Sequence, residues 1–563
     1  MKATIGHSMK FRSLVAIGQV VSLLLAIISG ALVVTTGVSW YMGDTYEVVR
    51  GFAQTLAVTV SLSALFFYIC RRNIGHRNLE TTARDGFASV GLGWILVSII
   101  AALSFRLTIH IPMTDAIFET SSGLTTTGAT ILDMESIFEP SFMQEAAQSE
   151  AGVPGEIHMK ASEGLVQCPH EGGMPPNGGR PCYGILFWRA MLNWLGGVGI
   201  VFFVLLLLPM LNLGQSKMLY NAEVPGLKTT ADQTTPHLAT SVWCVLGVYL
   251  GLTAAAIIFY RLFGMTTFDA ICHAFSTIST GGFSPRVDGL AHYNHLPMLQ
   301  WTVILFMFLS ACNFSLHIQR FTSLKMVYWK DEEFRVFLCV TICAALFVAG
   351  MLWWTRCPRE RLFLNGSVGG AVVSVEEYLR GATFQVVTVL STTGFCNGNW
   401  ESWGIPSVLI VILFLMIPCG CGGSTGGGLK WSRIVVVFKQ LSLEIHRCLS
   451  PRMVQDLRLN NERLDNGLVG KTLAFAVLYG LIVMVVALLL SVIEPLASEA
   501  STAFGAALTS LSNVGPGFGV VNPAGNFAAF QPWSKLLLAL TMIVGRLELF
   551  TIFVLFLRSF WKK

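Results

Sequence analysis

The stretch "RGATFQVVTVLSTTGF", Arg380 to Phe395, lies between two long apolar runs. Its first ten or so residues have helical character but are too few to cross a hydrocarbon core of roughly 30 Å, and it closes on hydroxyls and a glycine. A short segment of this kind between two spans reads as a re-entrant hairpin. The chain around it is built for lipid. Of its 563 residues 53% are hydrophobic and only 12% charged, against roughly 25% charged in soluble domains.

Apolar runs recur near 14–36, 52–70, 86–105, 184–212, 238–262, 297–319, 334–354, 405–440, 471–493 and 534–558. Each has about the twenty residues a spanning helix needs, so about ten transmembrane helices are expected in an all-α integral membrane protein. The first run follows Lys2, Lys10 and Arg12 as a signal peptide would, but it is long and lacks a small-x-small cleavage site, so a retained helix is expected. With both termini in the cytoplasm, about two-thirds of the Lys and Arg fall inside, including "RRNIGHR" from Arg71 and the run from Lys430 to Lys471. This orientation fits a multi-pass protein of the cell (inner) membrane. The same bias accounts for the net charge of +5, and no basic aromatic patch points to nucleic acid.

After the first two runs the remaining eight form four pairs, and a semi-polar segment separates the members of each pair. The other three are "TDAIFETSSGLTTTGAT" from Thr114, "FDAICHAFSTISTGGFS" from Phe268 and "STAFGAALTSLSNVGPGFG" from Ser501. The first two share "DAI" at Asp115 and Asp269, as a duplication would leave. Residues 1–80 then form a two-helix extension, and 81–215, 216–325, 326–445 and 446–563 form four repeats, the first with an outer loop over about 136–183. Naked backbone at membrane depth is tolerated only where protein buries it or it lines water. A ring of carbonyls there can replace the hydration shell of a cation, glycine lets successive carbonyls turn inward, and the C-terminal ends of short helices add partial negative charge. Helix packing by small residues explains "WLGGVG" at Trp194 to Gly199, but not a four-fold recurrence between helices.

The set "TTTGAT", "STGGFS", "STTGF" and "SNVGPG" resembles the selectivity filter of the Trk/Ktr/HKT superfamily of potassium transporters, and the two extra N-terminal helices resemble its TrkH-type branch. The resemblance implies four membrane–pore loop–membrane units around a pseudo-four-fold pore, in a homodimer with one pore per subunit. It implies filter residues Thr126, Thr127, Gly128, Ser279, Thr280, Gly281, Thr392, Thr393, Gly394, Asn513, Val514 and Gly515. In plant relatives a serine at the first glycine goes with sodium preference, so glycine at all four favours potassium as the transported ion. It also implies separate cytosolic nucleotide-binding subunits as regulators, since the cytosolic segments here are short.

The run near 405–440 contains "PCGCGGSTGGGLK", Pro418 to Lys430. Its six glycines, Gly420, Gly422, Gly423, Gly426, Gly427 and Gly428, each cost about 1 kcal/mol in a helix and should break it. A nucleotide-binding loop would need a Gly-Lys-Ser/Thr ending, which is missing. The segment resembles the glycine-rich gate under the filter of TrkH-type proteins; a kinked, tightly packed helix is the alternative. Arg546, in "GRLELF", sits in an otherwise apolar run and reads as a pore-facing electrostatic barrier under the filter, or as half of a structural ion pair. Glu548 is two residues away and does not share its face.

Two other readings carry less. A proton- or sodium-coupled carrier working by alternating access normally buries several carboxylates or lysines in mid-helix, and little beyond Arg546 and Glu548 is offered. An enzyme would need a zincin pair, a nucleophile elbow or a histidine cluster, and none is found. Of thirteen cysteines, Cys168 and Cys182 bracket a Gly/Pro-rich outer loop and are expected to form a disulfide, with free thiols or a weak metal site with His170 as alternatives.

Overall fold

The computed structural model describes residues 2–74, 83–132, 182–210, 238–286, 288–323, 327–364, 373–450, 456–460, 462–464, 466–497, 499–547 and 549–558. The long outer loop and Cys168 lie outside these residues, and Cys182 is a buried free thiol.

The chain opens with two long helices, α1 (Lys2–Tyr41) and α2 (Tyr46–Ile74). Ser22 Oγ donates to Ser63 O at 2.9 Å and Ser63 Oγ to Ser22 O at 2.7 Å, a reciprocal pair that only small residues allow at such close approach. Next come α3 (Ala83–Ala101), α4 (Leu103–Ile109), α5 (Met113–Leu124) and α6 (Tyr183–Met210). The α1–α2 turn is tied to α6 by Asp44, whose carboxylate accepts from Tyr183 N at 3.0 Å and Gly184 N at 2.7 Å, capping the positive end of that helix.

The second unit is α7 (Leu238–Leu262), α8 (Thr267–Ile278), α9 (Pro297–Ala311) and α10 (Phe314–Ser323). The third is α11 (Glu332–Trp354), α12 (Val375–Leu390), α13 (Pro406–Leu415) and α14 (Trp431–Leu449), with strands β1 (Pro418–Cys419) and β2 (Leu429–Lys430) between the last two. The fourth is α15 (Asn466–Ile493), α16 (Ala500–Ser512), α17 (Pro532–Arg546) and α18 (Leu549–Phe556).

Among the described residues six helices are long and apolar enough to cross a membrane, or seven if the pair α9 and α10, bent by 99° at its break, counts as one span. The expected continuous runs at 297–319 and 534–558 are corrected by the structure, which divides each into two helices, while the run at 405–440 breaks at its glycines as expected. The α9–α10 break frees backbone groups that a distant segment satisfies: Cys421 N donates to Ala311 O at 2.9 Å and Phe314 N to Gly423 O at 3.1 Å. Glycine-rich backbone packs into the bend.

The helices α5, α8, α12 and α16 have 12, 12, 16 and 13 residues. At 1.5 Å per residue they reach about 18 to 24 Å, too short to span. Two have sequence-encoded starts. Thr266 accepts from Asp269 N, and Ser374 forms a reciprocal capping box with Glu377.

Candidate functional site

All four short helices end alike. The residues Thr126, Thr280, Thr392 and Asn513 have φ of +53°, +56°, +59° and +57°. The next residue in each case sends its N–H five residues back: Thr127 to Ser122 O (2.9 Å), Gly281 to Ser276 O (2.8 Å), Thr393 to Thr388 O (3.0 Å) and Val514 to Thr509 O (3.1 Å). This is the hydrogen bond that closes a helix through a left-handed residue. Three of those residues are threonines, for which the left-handed region costs roughly 1–2 kcal/mol, so the surrounding packing must hold them there.

Two residues further on the chain turns left-handed again, at Gly128, Gly282, Gly394 and Gly515 (φ +81°, +77°, +74° and +99°). This corrects the sequence reading of the second quarter. Gly282 is the equivalent of Gly128, while Gly281 stands where the others carry Thr127, Thr393 and Val514, and Ser279 and Thr280 shift with it. The space that a side chain would fill at Gly281 is taken by Asn193 of α6, whose Cβ would lie 2.8 Å from a Cβ there.

The four turns close on one another. A Cβ at Gly128 would lie 2.5 Å from Gly281 O, and one at Gly515 would lie 2.6 Å from Thr127 O. At Gly282 and Gly394 it would overlap Thr393 O and Val514 O respectively. Each glycine therefore touches the carbonyl of the next quarter, and the fourth returns to the first. Only residues without a side chain allow a ring this tight. Asn513 adds a cross-link, its Nδ2 donating to Thr127 Oγ1 at 2.8 Å and to Met542 O at 3.0 Å. The ring hydroxyls are buried and pair locally, Ser391 Oγ with Thr393 Oγ1 at 2.7 Å and Thr125 Oγ1 with Thr127 Oγ1 at 2.8 Å.

Directly below, residues 420–428 form a loop whose feet are joined by β1 and β2, paired in parallel as Pro418 with Leu429 and Cys419 with Lys430. Gly427 N donates to Thr392 Oγ1 at 3.3 Å, and Thr425 Oγ1 to Ile278 O at 3.1 Å and Ser310 O at 3.3 Å. Cβ atoms at Gly427 and Gly428 would press on Asn513 and Ser512 at 2.5 Å and 3.2 Å. The loop thus lies against the ends of α8, α12 and α16 at once. A kinked but continuous helix is excluded by this geometry.

Two charged side chains hold the loop. Arg546, at the end of α17, donates through its guanidinium to Thr425 O on the loop and, at 3.1 Å, to Gly196 O of α6. The sequence reading makes it a barrier in the pore; in the structure it bridges these two backbone carbonyls. Glu333 of α11 grips both feet, accepting from Gly422 N at 2.6 Å and Ser432 N at 2.8 Å. Glu333 was missed in the sequence because an acid in the first turn of a helix ordinarily faces water. Glu548 lies outside the described residues.

"WLGGVG" performs the packing role first assigned to it: a Cβ at Gly196 would overlap Leu124 O, and one at Gly197 would lie 2.6 Å from Ser279 Cβ. No group of three or more potential metal-ligating His, Cys, Asp or Glu occurs among the described residues. What the arrangement can do is strip water from a cation at the ring and obstruct its path beneath.

Residues 180–563 match the TrkH family, described as cation transport proteins. The chain is 33% identical over 555 residues to the Trk system potassium uptake protein TrkH of Salmonella typhimurium, covering 97% of this chain and 99% of that one. The TrkH of Escherichia coli K12 is 32% identical over the same length and coverage. The crystal structure of the potassium transporter TrkH from Vibrio parahaemolyticus superposes with a TM-score of 0.76 at 29% identity, covering 98% of this chain and all of that one. With its four closed quarters and the loop beneath them, the chain belongs to the TrkH family of cation transport proteins.

Proposed function

We propose that this protein takes up potassium across the cell membrane through the four-quarter ring, and that the 420–428 loop gates the path with Arg546 as its latch. The observation that carries this reading is the closure of the ring, each glycine against the next quarter's carbonyl. Relatives over nearly the whole length are potassium uptake proteins by name, which supports potassium as the ion. The filter set under this reading is Thr126 to Gly128, Thr280 to Gly282, Thr392 to Gly394 and Asn513 to Gly515. We extend it to a homodimer governed by separate cytosolic nucleotide-binding subunits.

The test is potassium and sodium flux into liposomes holding the purified protein, with and without an imposed sodium or proton gradient. Faster potassium flux is expected. Equal flux of both ions would remove the proposal.

The latch makes its own expectation. Hydrogen bonds from a charged group contribute about 1.5–3 kcal/mol, and each 1.4 kcal/mol off a barrier is about tenfold in rate. Arg546→Gln should raise potassium flux about tenfold without changing the potassium-to-sodium ratio. Arg546→Lys keeps the charge but loses the two-pronged reach. A latch therefore opens in the Lys variant, whereas a purely electrostatic barrier stays closed, and the two flux values separate the mechanisms.

A further inference from the structure

The residues nine positions before the ring glycines are Glu119, His273, Gln385 and Ala506. They look unrelated in sequence. In the structure the first three do one thing: each reaches from its short helix to the outward limb of its own turn, just past the glycine.

Glu119 accepts from Thr130 Oγ1 at 3.1 Å and from Ile131 N at 3.0 Å, and is itself held by Arg189 Nε at 2.7 Å. His273 has Nδ1 at 2.9 Å from Asp269 O, which makes Nδ1 the donor and leaves Nε2 to accept from Ser284 Oγ at 3.0 Å. Gln385 Nε2 donates to Asn397 Oδ1 and to Gly398 O, both at 2.8 Å. All three are buried, where a hydrogen bond has no water to compete with it. The fourth quarter has only the methyl of Ala506, and close backbone contact takes over, with a Cβ at Gly505 coming 2.7 Å from Phe518 N.

We infer that Glu119, His273 and Gln385 are positioning residues for ion selection: they fix the outward limbs so that the ring cannot relax around a smaller ion. The inference rests on the filter reading above. Discrimination between cations of like charge depends on how far the ring carbonyls can follow the ion, so slack in a limb should admit sodium and leave potassium passage intact.

The test uses the full-length protein in liposomes and reads the potassium-to-sodium flux ratio, which packing alone would not move. Gln385→Met keeps length and volume but removes both donated bonds, and the ratio should fall about fivefold with potassium flux retained. Ser284→Ala removes the far end of the His273 brace with the loss of one oxygen, so folding is preserved, and should lower the ratio similarly. His273→Gln, which places the third quarter's solution in the second, should keep the ratio within about twofold of the parent. A folded Ser284→Ala protein with the parent's ratio would overturn the inference even if Gln385→Met fails to fold. Gly282→Ser separates the two readings. If it lowers the ratio while Ser284→Ala does not, the brace is wrong and the filter stands; if it leaves the ratio unchanged, the filter itself is wrong.

Discussion

Gly282→Ala is expected to cost at least tenfold in the ratio of potassium to sodium flux, whereas Gly281→Ala combined with Asn193→Gly should leave that ratio close to the parent's. The two glycines are adjacent, and only backbone conformation tells them apart. Gly282 has φ of +77°, and its missing Cβ is where Thr393 O of the next quarter lies. An alanine there meets left-handed strain of about 1–2 kcal/mol and displaces a ring carbonyl. Gly281 occupies the place held by Thr127, Thr393 and Val514, so its backbone accepts a side chain once the whole Asn193 side chain, Cβ included, is removed. Relative uptake of the two cations by both variants checks the register. Equal loss in both would mean that the second quarter tolerates change at neither position.

Deletion of Gly423 to Gly427 should raise potassium flux by one to two orders of magnitude and leave the selectivity ratio nearly unchanged. The feet of the loop stay joined through Pro418–Leu429 and Cys419–Lys430, and Glu333 keeps Gly422 and Ser432, so the shortened loop can still close. What goes is the tip, with Thr425 and its bonds to Ile278 O and Ser310 O, and the backbone beneath Thr392. These contacts approach the ring from one side only, so the outward limbs that fix its width are untouched. Adding Arg546→Gln to the deletion should give no further rise, because the latch then has nothing to hold; two changes acting on one element are not additive. A folded deletion protein whose flux is the parent's or lower would show that the loop does not obstruct ions.

The membrane runs, the four short helices and the glycine-rich break were legible because length, hydropathy and glycine content are properties of the chain itself. The second quarter was read one residue out of register. "STGG" offers two glycines, and the choice between them is made by the bond from Gly281 N to Ser276 O and by Asn193, which is 88 residues away. Arg546 was recognised as costly at its depth, but two of the atoms it binds, Thr425 O and Gly196 O, are main-chain atoms and leave no trace in sequence. The bracing position was hidden for a different reason. Glu119, His273 and Gln385 reach the same target with different chemistry, so the equivalence exists only in three dimensions. Breaks in the second helix of a pair were foreseen at the glycines alone, since the α9–α10 bend is stabilised by groups that the loop supplies.

Anomalous scattering from rubidium, a stand-in for potassium, in crystals of the Arg546→Gln protein tests the central claim most directly. The expected result is a peak on the axis of the ring formed by Thr127–Gly128, Gly281–Gly282, Thr393–Gly394 and Val514–Gly515, weakened or lost when sodium replaces rubidium. A well-ordered ring with no ion on that axis, in protein that carries rubidium flux, would contradict it.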